Sequence, residues 1–152
     1  MKYLVIGYGN TLRSDDGAGF WVAEKVGEWN LENVRSLAVH QLTPELAEDI
    51  ANADTVIFVD ALPITEETPG EVKIEALTPE RITDSFAHSI NPRSLLFLTQ
   101  AIYNKIPSAY WILIPAVNWE FSENLSAIAE AGVNVALEKI QQLINSLLVV
   151  AL

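Results

Sequence analysis

Residues 2–19 read KYLVIGYGNTLRSDDGAG. The first part, 2–7, is an unbroken apolar run closed by glycine, as expected of a strand covered on both faces. The second part, 7–19, sets four glycines around two adjacent acids, Asp15 and Asp16, and leads into a segment with helical spacing. A buried strand, a glycine loop and a helix open an α/β unit. The loop itself invites comparison with a phosphate cradle. A dinucleotide fingerprint needs G-x-G-x-x-G opening a helix, and an acid at the end of the next strand. Gly7 and Gly9 fit, but Leu12 occupies the third position, the next strand ends near His40, and no Gly-Lys-Ser/Thr follows. Phosphate sites use bare backbone N–H groups and a helix N-terminus of positive potential. Asp15 and Asp16 oppose an anion there, so the loop reads against a nucleotide.

Working outward, FWVAEKVGEW (20–29) repeats Phe20, Ala23, Val26 and Gly27 at helical spacing, and VRSLAVH (34–40) reads as a second strand. Thr43 and Pro44 predict a helix start, with Thr43 as N-cap and Pro44 first in the helix. TVIFVD (55–60) is a third buried strand, ending on Asp60. Pro69-Gly70 makes a turn before EVKIEAL (71–77), where Val72, Ile74 and Ala76 alternate with Glu71, Lys73 and Glu75, as in an antiparallel edge strand. Asn91-Pro92 caps the helix RSLLFLTQAIYN, and YWILIPAV (110–117) is the last buried strand. From Leu125 to Leu147 apolar residues return at threes and fours, predicting one long amphipathic helix. The predicted fold is α/β: a mainly parallel, twisted sheet of about five strands, helices on both faces, and one antiparallel edge strand. In such sheets ligands collect at the carboxyl ends of the strands, where the loops bearing Asp16 and Asp60 both open.

A chain of 152 residues, half of them apolar, predicts one domain over 1–152. Twenty acids against nine bases give a net charge of −11, which argues against nucleic acid and anionic lipid as partners. With no cysteine, disulfides, thiolate metal sites and cysteine nucleophiles are excluded. MKYLVIGYG is too short in its apolar run for a signal peptide, and the tail LLVVAL is cut off by Asn145 and Ser146 from the ~20 residues of a span. A cytoplasmic protein without membrane attachment is expected, as a monomer or weak oligomer.

Asp15 and Asp16 have a structural reading, as helix cap and dipole partner, and Asp60 has one as a turn starter. Their convergence on one sheet edge has a chemical reading, because paired carboxylates repel unless a proton or cation lies between them. Of the two histidines, His40 ends a strand, whereas His88 projects from the polar segment TDSFAHSINP. One imidazole with two carboxylates suits a borderline divalent metal such as nickel or zinc, with positions left open. Neither H-E-x-x-H nor G-x-S-x-G occurs, and nothing orients Ser85 or Ser89 as a nucleophile.

The ordered set G-x-G-N-x-L-x-x-D-D-G-x-G (7–19), V-D-A (59–61), P-G-E-V (69–72) and His88 ahead of the Pro92 helix resembles the hydrogenase maturation endopeptidases. The resemblance implies a three-layer α/β domain and an endopeptidase of aspartic or metal-dependent type. It implies removal of the C-terminal extension from a nickel-loaded [NiFe]-hydrogenase large-subunit precursor, the expected partner. By position it places the catalytic and metal-contacting groups on Asp16, Asp60 and His88. Gly7, Gly9, Asn10, Gly17 and Gly19 match the family's loop residues, and Asp15 beside them is either loop-shaping or a base for the attacking water. Nickel is then supplied by the substrate, with zinc or cadmium as substitutes. The pattern departs over 117–126, VNWEFSENLS, where the family often carries glycines. Trp119 is a candidate for the tail-binding groove, and Arg13 for a carboxylate or substrate contact. The other readings are a nickel-dependent binding module and a peptidase of a different precursor.

Overall fold

In the strand β1 (Tyr3–Tyr8) side chains leave the sheet alternately, Tyr3 and Val5 to one face and Leu4 and Ile6 to the other, none more than 2% exposed. β3 (Thr55–Pro63) repeats this with Ile57 and Val59 opposite Val56 and Phe58. Period two with both faces buried requires helices on both sides, and the computed structural model has them. It describes residues 1–65, 70–81 and 90–151, the last five by backbone alone. β2 (Val34–Val39), β4 (Lys73–Leu77) and β5 (Ser108–Ala116) complete a sheet of order β2-β1-β3-β5-β4. All neighbours are parallel except β4, which runs antiparallel to β5 at the edge.

Helices α1 (Ala18–Glu28) and α4 (Ala127–Ala151) cover one face, and α2 (Leu46–Ala51) and α3 (Pro92–Tyr103) the other. The α1 stripe is Ala18, Val22, Ala23 and Val26, while Phe20 and Gly27 lie off it, unlike the expected set. Small residues on that stripe let the helix lie close to the sheet: a Cβ on Gly19 would stand 2.2 Å from the Val59 carbonyl oxygen. α4 buries Ala129, Val133, Ala136, Ile140 and Ile144, the predicted three-and-four repeat.

The caps divide. Asn91 accepts from the Ser94 N–H at 2.9 Å and Ser94 Oγ accepts from Asn91 N–H at 3.0 Å, a reciprocal box with Pro92 opening α3. Thr43 and Pro44 do not open α2, which starts at Leu46 after a tighter i→i+3 turn closed by Thr43 and Pro44 carbonyls. On β4 the expected inward set is also displaced. Val72 packs against the α1/α4 layer, but Ile74 and Ala76 are exposed, and Leu77 packs into the α2/α3 layer. No helix among the described residues is long and apolar enough to cross a membrane.

Candidate functional site

β1 pairs with β2 on one side and β3 on the other, so the chain leaves the β1 edge in opposite directions. This topological switch point opens a crevice beyond the carboxyl ends of β1 and β3. A cleft of about 460 Å³ lies there, lined by Tyr8, Asp16, His40, Thr43, Asp60 and Ile90 among others.

The first loop delivers Asp16. Gly9 takes φ +144°, and any Cβ there would stand 1.9 Å from the Asp16 carbonyl oxygen, so the loop folds back on itself only with glycine. Asn10 accepts the Leu12 N–H at 2.9 Å, an Asx turn, and donates its own N–H to Asp16 Oδ2 at 2.8 Å. A short 3-10 turn, Ser14–Gly17, then runs into α1. Neither acid caps α1, whose N-cap is Gly17. Asp16 remains half-buried on the cleft.

Its neighbour Asp15 points the other way and is 0% exposed. The carboxylate accepts four hydrogen bonds: from Val117 N–H at 2.9 Å, Asn118 N–H at 3.0 Å, Ser126 N–H at 2.8 Å and Ser126 Oγ at 2.7 Å. Burial alone would raise its pKa, but these donors outweigh burial and hold it below the ordinary value. Ser126 Oγ also accepts the Ala129 N–H at 3.2 Å, so Asp15 is tied to the cap of α4. With no access to water and its oxygens occupied, Asp15 shapes the loop and is not placed to act as a base.

Asp60 reaches the cleft from the other strand. Parallel register sets Gly7 beside Val59, and the next residues, Tyr8 and Asp60, project to the same face beyond Ile6 and Phe58. Asp60 Oδ1 accepts the Ala61 N–H at 2.7 Å, and the Tyr8 hydroxyl donates to the carboxylate. Burial first, and then the Asp16 charge, push the Asp60 carboxyl up to about 6 despite those bonds. Burial and the facing Asp60 charge likewise raise the Tyr8 hydroxyl. Behind them the indole N–H of Trp111 is buried with no hydrogen bond of good geometry, close enough to the Tyr8 oxygen to favour its ionised form. Sequence reasoning left Tyr8 inside the glycine loop and Trp111 within the last buried strand, although strand alternation carries both onto the Asp60 face.

His40, weighed only as a strand-end polar residue, lies on the same cleft. His88, Ser85 and Ser89 lie outside the described residues, as does Pro69 of the predicted turn. Among the described residues no three His, Cys, Asp or Glu side chains converge to hold a metal ion. Arg13 donates to the Trp119 carbonyl at 3.2 Å and binds no carboxylate among the described residues.

No protein-family model matches the sequence. The hydrogenase 2 maturation protease of Escherichia coli (strain K12) is 31% identical over 97 residues, a match covering 62% of this chain and 58% of that protein. The [NiFe] hydrogenase maturation protease HybD of Thermococcus kodakarensis superposes with a TM-score of 0.72 at 26% identity, over 94% of this chain and 99% of the other. The chain is a relative of the hydrogenase maturation endopeptidases. The fold likeness extends to the maturating endopeptidase HybD of E. coli, with a TM-score of 0.74 at 22% identity, covering 96% of this chain and 93% of that one. The maturation-protease fold thus accounts for the three layers, the antiparallel edge and the cleft at the β1/β3 switch point.

Proposed function

We propose that the chain is an endopeptidase that removes the C-terminal extension of a nickel-loaded [NiFe]-hydrogenase large-subunit precursor. The observation that carries this reading is the facing of Asp16 and Asp60, from different strand ends, across one cleft in a maturation-protease fold. The two carboxylates repel, and burial adds to the cost of ionising Asp60. A divalent cation relieves both penalties, so the pair suits a metal arriving on the substrate. His88 is the third ligand proposed by position. Asn10 holds one Asp16 oxygen, and Ala61 and Tyr8 hold Asp60, so both carboxylates are oriented before substrate arrives. In the hydrolysis a water adds to the scissile carbonyl, the C–N bond breaks, and the leaving amine takes a proton. A cleft carboxylate acting as base for that water contributes typically ~10²–10⁴-fold.

The test is incubation with a large-subunit precursor, nickel-loaded or nickel-free, followed by mass spectrometry of the tail. Cleavage of the loaded form alone, lowered about 100-fold or more in Asp16→Ala, is expected. Equal cleavage by the variant removes Asp16 from the mechanism. A nickel-dependent complex with its tail intact would instead identify a binding module, and cleavage of some other precursor alone would change the substrate.

A further inference from the structure

The loop joining β5 to α4 holds the most exposed large apolar side chain among the described residues. Phe121 is 85% exposed, with Val117 at 52% in the same loop. Leu12, in the first loop, is 44% exposed and accepts the Ser122 N–H at 2.9 Å, which puts it beside Phe121. The loop is not slack. The Ser122 carbonyl accepts Ser14 N–H at 2.7 Å, the Ser14 hydroxyl donates to the Asn124 carbonyl at 2.7 Å, and Asp15 gathers the backbone on both sides. A free loop would lay a phenyl ring on the nearest apolar surface, since such burial is favourable by about 1.5–3 kcal/mol. This one is bonded in place with its ring in water, and presented apolar surface of that kind marks a contact site.

Charge selects the partner. Glu120 and Glu123 stand exposed on either side of Phe121, in a chain of net charge −11. Of the bases nearby among the described residues, Arg13 has its guanidinium on the Trp119 carbonyl, and Lys25 lines a depression on the far side of Glu123. A second copy would bring the same glutamates against each other, and nucleic acid or anionic lipid would meet like charge. We infer that the Leu12–Phe121 edge docks a polypeptide segment in which a large apolar side chain is flanked by Lys or Arg. Ser14, bonded to this loop, precedes Asp16 by two residues, so the docked segment runs beside the cleft. The inference rests on the peptidase reading only for the identity of that polypeptide, the precursor whose tail is cut.

The edge is tested by fluorescence anisotropy with three labelled peptides of equal length, alternating Lys/Leu, Lys/Ser and Glu/Leu. The wild type is expected to bind Lys/Leu about tenfold more tightly than either other peptide. Phe121→Ser, which changes an exposed side chain and keeps the wild-type Tm, loses that tenfold, and Glu120→Lys with Glu123→Lys moves the preference to Glu/Leu. Equal affinity of wild type and Phe121→Ser for Lys/Leu, or no preference among the peptides, overturns the inference. With precursor as substrate the Phe121→Ser effect falls on KM, about tenfold, and an unchanged KM sinks the docking edge while leaving the peptidase reading intact. Peptide selectivity without cleavage of any precursor does the reverse.

Discussion

Asp15 and Asp16 are adjacent, chemically identical and physically opposite. The 3-10 turn sends one carboxylate into the protein and leaves the other on the cleft. Asp15→Asn puts an amide among four hydrogen-bond donors, three of them backbone N–H groups. The expected cost is about 3 kcal/mol, read as a fall of about 6–12 °C in Tm. Asp60 has the opposite linkage. Its carboxyl is raised to about 6, so between the ordinary carboxylate range and that value the folded chain holds a proton that the unfolded chain releases. Its contribution to stability therefore declines as pH rises through that window, and ionised Asp60 costs about 3 kcal/mol at neutral pH. Asp60→Asn is expected to unfold at higher temperature than wild type at pH 7, with the gain gone by about pH 4. A gain that persists at the lower pH would assign it to packing instead.

Among the elements, those whose signals are local were legible from the residues. Asn91, Pro92 and Ser94 specify the start of α3 within four positions, and Asn91→Ala should cost about 1 kcal/mol, lowering the urea midpoint with an unchanged slope. The long repeat of α4 and the unbroken apolar runs of β1 and β3 were legible for the same reason. Thr43-Pro44 carried an equally local signal and missed by two residues, because the chain there closes i→i+3 bonds before α2 begins. β4 was read as an antiparallel edge, correctly, but its inward face was not. Which of its residues are covered depends on the helices packed on each face of the sheet, contacts beyond the strand's own residues. Likewise Tyr8 and Trp111 carry no motif, and only the register of β1, β3 and β5 brings them to Asp60.

For the whole molecule, the order β2-β1-β3-β5-β4 makes β3 central and leaves β2 and β4 with one edge each unpaired by any strand among the described residues. Native-state hydrogen exchange should follow that order. Amides of β1 and β3 are expected to exchange only through global unfolding, while those of β4 exchange earlier, by local opening. Equal protection of β4 and β3 would mean that the edge is covered by something beyond the described residues. The same order places the cleft, since the switch point lies between β1 and β3 and both acid-bearing loops leave from there.

KYLVIGYGNTLRSDDGAG was enough to establish a buried strand, a tight glycine loop and a helix, and its acids were enough to argue against an anion. Those conclusions follow from sterics, hydrophobic period and charge, which act between near neighbours in the chain. Which acid serves the cleft in this structure was a tertiary decision. Asp15 is withdrawn by donors from residues 117, 118 and 126, more than a hundred positions away, and Asp60 is brought in by parallel pairing. Hydrogen bonds and burial across such separations exist only after the sheet has assembled, so no local pattern encodes them.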